Sequence, residues 1–325
     1  MCGGTKMREI ISVTGPVSPD ELGFCQFHEH LMISRGKSYE VNPDILMDEP
    51  QKSLEEVKRY QAVGGMSIID AQPGGCNRMA EGLAEISRQT GVHIICSTGF
   101  HKMLFYPEDH WIHRIDEDAL YAYYKRELTQ GTTDESDVTS PDGCSFENVR
   151  AGIVKCALDS ENLTPRYQRL FLAAARAAAE CEKTMLIHVE AGSDPIRLLD
   201  FLQGTGLRPE RLVFCHMDRA IPDLAVHKQI LASGAYLEFD TIGRFKYHSD
   251  EEEIAIFQEL IREGYEKQLL FSLDTTRARM RAYDPAGIGL DYILTDFLPK
   301  MMDAGITKEQ INRIAKGNAV CALCG

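Results

Sequence analysis

Two histidines separated by one residue are the first feature of the sequence that suggests chemistry. His28 and His30 lie in the segment FCQFHEHL. If this segment is a β-strand, residues i and i+2 project from the same face, so the two imidazoles would point together and could chelate a metal ion. An H-x-H pair alone is weak evidence, because two surface or core histidines give the same pattern.

Four further polar residues lie inside or at the end of apolar segments. Lys155 lies in AGIVKCAL, His188 in MLIHVE, His216 in LVFCHM, and Asp274 ends LLFSLD. Taken singly, the lysine could extend to solvent and each histidine could be a hydrogen-bonded core residue. Together they are costly to bury without partners, and their types suit zinc or a similar divalent ion. The predicted metal-binding residues are His28, His30, Lys155, His188, His216 and Asp274.

The segments that carry these residues have the pattern of strands in a parallel sheet. Short apolar runs alternate with longer amphipathic stretches, which predicts strands alternating with helices. The predicted strands are 24–30, 66–71, 92–98, 151–157, 184–190, 211–217, 235–240 and 268–274. Eight such strands predict an α/β fold, a single (β/α)8 TIM barrel, whose active site is built at the carboxyl ends of the strands. The six residues lie near those ends.

Local signals also predict where the helices begin. Capping-box spacing joins Ser53 to Glu56, Ser249 to Glu252 and Thr307 to Gln310, and a cap precedes proline at Thr164-Pro165 and Asp194-Pro195. No Gly/Ser-rich linker divides the chain, so we predict one domain over 1–325. We expect a small hairpin within 1–18, a helix near 116–129, and C-terminal helices within 289–325, at 289–303 and 307–316. The polar stretch in 129–150 predicts either a mobile flap or a plain surface excursion.

Composition limits the partners. The 325 residues carry a formal net charge of −14, which disfavours binding to nucleic acid. We expect no membrane segment and no signal peptide. Most of the cysteines lie in apolar runs, as expected of small hydrophobic residues in a reducing cytoplasm. Cys321 and Cys324 form a C-x-x-C pair, which alone is weak evidence for zinc or redox chemistry, so we expect unpaired terminal thiols.

From about Gly15 to the C-terminus, the sequence resembles the phosphotriesterase-like branch of the amidohydrolase superfamily. The matching stretches are PVSPDELGFCQFHEHL, AGIVKCALD, LIHVEAG, FCHMDR, LLFSLD, GLDYILTDFLPKM and GNAVCALCG. The resemblance implies two divalent metal ions. It assigns His28, His30 and Asp274 to the more buried ion, His188 and His216 to the more exposed one, and a CO2-derived carbamate on Lys155 to the bridge between them. Zinc is the favoured metal, with manganese and cobalt as alternatives.

The resemblance also implies a hydrolytic mechanism. A hydroxide bridging the metals would attack a carbonyl or phosphoryl group that the exposed ion polarises. Asp274 would accept the proton and pass it to the leaving group. Asp218, just after His216, is a weaker candidate for supporting that transfer; the alternative is that it is an ordinary surface carboxylate.

Two features bear on the substrate. Family members that hydrolyse hydrophobic lactones commonly have Tyr after the TGF motif, where this chain has His101, so acyl-homoserine lactones are disfavoured. His101 either contacts a polar substrate or is an exposed loop histidine. The loops TIGRFKYH and TTRARMRAYDP carry a basic cluster, which indicates an anionic substrate group. It consists of Arg244, Lys246, Arg277, Arg279 and Arg281. We expect Arg279 or Arg281 to pair with acidic surface residues instead.

Some relatives with this pattern hydrolyse phosphorylated sugar lactones, and by resemblance Lys246 and Arg277 would bind the phosphate, with Arg244 and His101 also contacting substrate. We therefore predict a metal-dependent lactonase with an anionic small-molecule substrate. The alternatives are a phosphotriesterase or neutral lactonase of the same fold, and a non-catalytic ligand-binding barrel. Whether the chain forms a homo-oligomer stays open.

Overall fold

Eight parallel strands form a sheet whose spatial order follows the order of the chain. The computed structural model describes residues 9–133, 139–142 and 148–325. The strands are β1 Ile10–Ser12, β2 Gly15–Val17, β3 Phe24–Glu29, β4 Gly65–Asp70, β5 His93–Gly99, β6 Ile153–Leu158, β7 Met185–Val189, β8 Leu212–Cys215, β9 Tyr236–Phe239 and β10 Leu269–Phe271. All eight predicted sheet strands are confirmed, and β1 pairs with β2 as the predicted N-terminal hairpin.

The sheet closes almost completely into a barrel where β3 approaches the segment after β10. The Asp274 amide donates to the His28 carbonyl at 3.1 Å. The buried Glu29 carboxylate accepts hydrogen bonds from the amides of Leu273 at 2.8 Å and Thr275 at 3.0 Å. These bonds fix the backbone on both sides of Asp274, a predicted site residue. The predicted (β/α)8 barrel is confirmed.

Helices connect the strands and cover the outside of the barrel. They are α1 Lys37–Val41, α2 Pro50–Ala62, α3 Ala80–Thr90, α4 Glu117–Thr129, α5 Pro165–Glu180, α6 Pro195–Gln203, α7 Met217–Ala220, α8 Leu224–Ala232, α9 Asp250–Arg262, α10 Leu298–Asp303, α11 Lys308–Asn312 and α12 Ala319–Cys324. Short π-helical segments, Ile293–Phe297 and Arg313–Asn318, directly precede α10 and α12. In the described part of the chain, no helix is long and apolar enough to cross a membrane.

Most of the predicted helix starts are confirmed. Ser249 and Thr307 form complete capping boxes, and the Asp194 side chain caps α6. The capping box predicted at Ser53 is wrong, because α2 already begins at Pro50. Ser53 is buried inside α2, and its hydroxyl donates to the Leu31 carbonyl at 2.7 Å. The Ser53 side chain therefore makes a tertiary contact and does not cap a helix, as the local pattern predicted that it would.

Two expectations concern segments near the surface. The helix predicted near 116–129 is confirmed as α4, but much of the polar stretch after it, at 134–138 and 143–147, lies outside the described residues. Its role as flap or surface excursion stays a prediction.

Cys321 is disulfide-bonded, so the expectation of unpaired terminal thiols is wrong for this residue. Spacing in the sequence could not show this, because pairing depends on the distance between cysteines in the fold.

A buried ion pair attaches α4 to the barrel. The Arg78 guanidinium lies 2.7 Å from the Glu127 carboxylate, and both side chains are fully buried. Thr98 also donates to this carboxylate, at 2.6 Å. Burial raises the pKa of Glu127, but Arg78 and these hydrogen bonds lower it further, so the net shift is downward. At pH values above the usual pKa of glutamate, the Glu127 carboxylate therefore stabilises the fold. This contribution is lost as the pH falls through the lowered pKa of Glu127 in the folded state.

We expect Glu127→Gln to lower the free energy of unfolding by about 3–5 kcal/mol, because it removes the carboxylate charge that faces the buried Arg78 guanidinium. Urea denaturation at neutral pH measures the change. The matched control is Asp118→Asn, which removes an exposed pair with Arg176 at 2.6 Å and should leave the free energy of unfolding nearly unchanged. Equal effects of the two substitutions would show that the buried pair contributes no more than a surface one.

Candidate metal centre

A cavity of about 250 Å³ opens at the carboxyl ends of the barrel strands. Its wall combines imidazoles, carboxylates and cations with a few apolar side chains. The lining residues are His28, His30, Ile33, Asn42, Ile45, Gln72, His101, Lys102, Phe105, His188, Glu190, His216, Arg219, Arg244, Asp274 and Thr276. Five of the six residues predicted to bind metal are among them. The sixth, Lys155, is buried next to the cavity, with its Nζ 3.1 Å from His28 Nε2.

The first half of the site joins the two histidines of β3 to the carboxylate that follows β10. The Nε2 atoms of His28 and His30 lie 3.7 Å and 3.5 Å from Asp274 Oδ1. The three residues form a buried group whose ligand atoms lie within 4.8 Å of one another. The period of two along β3 therefore brings both imidazoles to one face, as the H-x-H spacing predicts.

The second half is a pair of facing imidazoles from neighbouring strands. His188 Nδ1 and His216 Nε2 lie 2.7 Å apart. The other ring nitrogens have carboxylate partners: His188 Nε2 lies 3.1 Å from Glu190, and His216 Nδ1 lies 2.6 Å from Asp240. If these carboxylates accept the ring protons, both facing nitrogens present lone pairs to the same point. A cation held by both nitrogens satisfies that arrangement.

Burial keeps this pair uncharged, which is the form that binds metal. It lowers the pKa of His188 to about 4 and that of His216 well below its usual value. At His28, burial and Lys155 also lower the pKa, but the Asp240 and Glu238 carboxylates raise it to about 9. A divalent ion would therefore compete with a proton at His28.

Lys155 adds a further argument that the residues fit a metal centre. Its side chain is 1% exposed. Lys155 forms no ion pair with any of the described residues, and its Nζ lies 3.1 Å from the imidazole Nε2 of His28. A buried ammonium without a counter-charge is costly. The donor set around it, four imidazoles and a carboxylate, suits a divalent ion of the zinc type.

Two of the site residues have an unusual backbone conformation. His216 and Asp274 both have positive φ, 61° and 49°. This left-handed conformation is strained for residues other than glycine and persists only where the surroundings enforce it. The Glu29 hydrogen bonds to the residues on either side of Asp274 enforce it there, and the His216 amide donates to Asp240 at 3.0 Å. The fold thus holds both side chains toward the cavity.

The sequence prediction missed several polar residues of the site. Asp240 contacts both His216 and His28, the latter at 3.3 Å. The sequence did contain a signal for Asp240, because this residue ends the predicted strand 235–240. Glu190 also had a signal, two residues after His188 on the same strand face. Lys102, which lies 2.6 Å from Glu190, had none, because its position depends on a loop.

The residues predicted to bind substrate fall into two groups. His101 and Arg244 line the cavity, and Arg244 lies 3.1 Å from Asp274 Oδ2. Lys246 is exposed on the loop after β9, and Arg277 lines a neighbouring depression, 3.6 Å from Glu49. The structure does not bring these two side chains into the cavity, and their role in phosphate binding stays a prediction.

The remaining basic and acidic residues of these loops have partners in the protein. Arg281 forms an ion pair with Asp291, which confirms the expectation that at least one arginine of the cluster pairs with an acidic residue. Arg279 donates to the Ile242 carbonyl at 2.6 Å. The Asp218 carboxylate accepts hydrogen bonds from the Thr241 amide at 2.7 Å and hydroxyl at 2.6 Å. Asp218 therefore anchors the loop after β9.

We expect Asp240→Asn to weaken metal binding by about 10- to 100-fold, because the carboxylate orients His216 and fixes its ring proton. The dissociation constant for Zn²⁺ can be measured by competition with a chelating dye. Asp250→Asn is the matched control: Asp250 is also buried, but it binds Tyr292 and Lys300 away from the cavity. An unchanged zinc affinity in Asp240→Asn would contradict the orienting role.

The barrel and the residues at its mouth together define a class, the metal-dependent hydrolases of the (β/α)8 fold. The chain belongs to the phosphotriesterase family, whose sequence profile matches residues 8–321. It is thus an enzyme that hydrolyses its substrate, as the resemblance predicts.

Individual relatives cover nearly the whole chain. The phosphotriesterase homology protein of Escherichia coli (strain K12) is 27% identical over 303 residues, covering 93% of this chain and 98% of that protein. A phospho-furanose lactonase of Mycoplasmopsis synoviae (strain 53) is 26% identical over 316 residues, covering 94% of this chain and 89% of that protein. A lactonase crystal structure from Listeria monocytogenes superposes with a TM-score of 0.88 at 27% identity, covering 97% of this chain and 99% of that one.

Proposed function

We propose that the chain opens the ring ester of a lactone, and that the lactone is a sugar lactone carrying a phosphate. The relatives named as lactonases support the ester bond, and the one named for phospho-furanose lactones supports the phosphate. The observation that carries the proposal is the facing pair of His188 and His216, whose nitrogens lie 2.7 Å apart beside the His28, His30 and Asp274 group. A metal-dependent hydrolase needs such a set of ligands at the floor of its cavity.

The metal centre that we propose contains two divalent ions, zinc or alternatively manganese or cobalt. His28, His30 and Asp274 would hold one ion, and His188 and His216 the other. Lys155 would carry a carbamate, formed when its neutral amine attacks CO2 and loses a proton, and this anion would contact both ions. When bound, the ions supply Lewis acidity, which polarises a carbonyl oxygen and lowers the pKa of water.

The protein side chains supply the proton transfer. Asp274 is the carboxylate of the group that lines the cavity, so it is the proposed acceptor for the proton of the attacking water. Burial raises the pKa of Asp274, but Arg244, His30 and other nearby charges lower it well below its usual value, so the carboxylate is ionised at neutral pH. Arg244 also holds its orientation. Donation of the proton to the departing ring oxygen gives the hydroxy acid.

The cavity wall suits a small polar substrate. Phe105, Ile33 and Ile45 contribute apolar surface to the cavity wall, while His101 and Gln72 offer polar atoms. The polar side chains among the lining residues favour a sugar ring over a long acyl chain. This agrees with the presence of His101 where relatives that hydrolyse hydrophobic lactones have Tyr.

The test is a matched substrate panel with the zinc-loaded enzyme: five- and six-carbon sugar lactones, each with and without phosphate, together with an acyl-homoserine lactone and a phosphotriester. We expect the highest kcat/KM for a phosphorylated sugar lactone. Faster turnover of the neutral lactones or the triester would establish one of the alternative hydrolase functions. No turnover together with less than about one metal equivalent per chain would favour a non-catalytic barrel.

A further inference from the structure

We propose that Arg219 is a substrate-binding residue that holds the anionic group of the substrate, a role the sequence prediction gave to Lys246 and Arg277. The inference rests on the proposed hydrolytic function of the cavity and adds the group that selects an anionic substrate. Arg219 lies on α7, three residues after His216, and its side chain lines the cavity. A ligand that contacts His188 and His216 therefore has Arg219 beside it.

Among the described residues, three cationic side chains line the cavity, and two of them form ion pairs with carboxylates. Lys102 lies 2.6 Å from the Glu190 carboxylate. Arg244 lies 3.1 Å from Asp274 Oδ2 and also donates to the Asp274 carbonyl. Arg219 forms no ion pair with any of the described residues, and its guanidinium lies 5.7 Å from the ring centroid of Tyr247. Burial lowers the pKa of Arg219, but the more distant carboxylates of Asp274, Asp240 and Asp218 raise it overall, so the guanidinium stays charged while no described carboxylate occupies its donors.

The donors of Arg219 are also unused. Its Nε is buried and has no hydrogen-bond partner among the described residues. A guanidinium presents five N–H donors in a planar fork that matches the oxygens of a phosphate or carboxylate. A partly buried cation of this kind gains more from an anionic ligand than a solvated one does, because charge-assisted hydrogen bonds are stronger away from water.

The two alternative cations, Lys246 and Arg277, are not among the residues that line the cavity. Lys246 is exposed, and its Nζ lies 4.7 Å from the ring centroid of Tyr247. Arg277 donates to the Leu46 carbonyl and faces Glu49 in the neighbouring depression. Binding a small substrate through these two would require the loops to move, whereas Arg219 already faces the cavity. The geometry therefore favours Arg219 as the residue that sets specificity for an anion.

The first measurement is independent of catalysis. Inorganic phosphate is titrated into the zinc-loaded chain, and its dissociation constant is compared for the wild type, Arg219→Gln, Arg219→Lys and the exposed control Arg262→Gln. We expect Arg219→Gln to weaken phosphate binding by about 10- to 100-fold, Arg219→Lys to weaken it less, and Arg262→Gln to leave it unchanged. The melting temperature of Arg219→Gln should stay close to that of the wild type, because Arg219 forms no ion pair with the described residues and loses only the contact with the Tyr247 ring and weaker, longer-range charge interactions.

The second measurement uses one sugar lactone with and without its phosphate. Arg219→Gln should raise KM for the phosphorylated form by a much larger factor than KM for the unphosphorylated form. Equal losses for both forms, or phosphate affinity equal to that of the wild type, would overturn the assignment. If the wild type hydrolyses no lactone but still binds phosphate through Arg219, the lactonase proposal is wrong while Arg219 remains the anion-binding residue of another substrate.

Discussion

Asp274→Asn should lower kcat for lactone hydrolysis by about three orders of magnitude, which is within the usual range for the loss of a general acid–base group. The amide of Asn cannot accept the proton of the attacking water, and it is a poorer metal ligand than a carboxylate. The substitution keeps the size of the side chain, and the Glu29 hydrogen bonds that fix the backbone at this position remain. Steady-state kinetics with the preferred lactone gives the result.

Asp218→Asn is the matched control for this prediction. Asp218 follows His216 closely in the sequence, and the sequence alone left open whether its carboxylate supports proton transfer. In the structure its Oδ2 is occupied by the amide and hydroxyl of Thr241. We therefore expect Asp218→Asn to lower kcat by less than about tenfold, through loosening of the loop after β9. If Asp218→Asn lost as much kcat as Asp274→Asn, the proton acceptor would be misassigned.

The strands of the barrel could be predicted because burial on both faces demands continuous apolar sequence. The segments around Lys155 and His188 show this, since each places one ionisable residue inside an otherwise apolar run, and both are buried strand residues in the structure. The same contrast identified the residues that line the floor of the cavity. A polar residue in such a strand stands out in the sequence because packing gives no reason for it.

The rest of the site depends on geometry that spacing does not encode. Arg219 lines the cavity from the short helix α7, whose N-cap residue His216 has a left-handed conformation, φ 61°. Neither feature has a signal in the residues of that loop. The arginines after β10 were equally ambiguous, since Arg277 and Arg281 differ only in which acidic residue each reaches, Glu49 or Asp291. These contacts depend on the conformation of the loops, which the hydrophobic periodicity of a sequence does not predict.

Lys155→Met should reduce the bound metal from about two equivalents per chain to about one or fewer. It should also lower kcat by about a thousandfold, which corresponds to an increase of about 4 kcal/mol in the activation free energy. Methionine fills similar space in the buried strand but cannot form a carbamate. The loss would therefore come from the missing bridge and not from a cavity in the core. Metal analysis of the reloaded protein and steady-state kinetics measure the two effects.

The carbamate makes a second prediction that a neutral or protonated lysine does not. The rate at which the metal-free wild type regains activity with zinc should fall in CO2-free buffer and recover when bicarbonate is added, because the amine must first react with CO2. Lys183→Met, at a partly buried lysine away from the cavity, should reload like the wild type in both buffers. If wild-type reloading does not depend on bicarbonate, or Lys155→Met holds two metal ions, Lys155 contacts the metals as an unmodified side chain or not at all. The proposed site would then need another anion to balance two divalent ions, and Asp240, which already contacts both His28 and His216, is the nearest candidate.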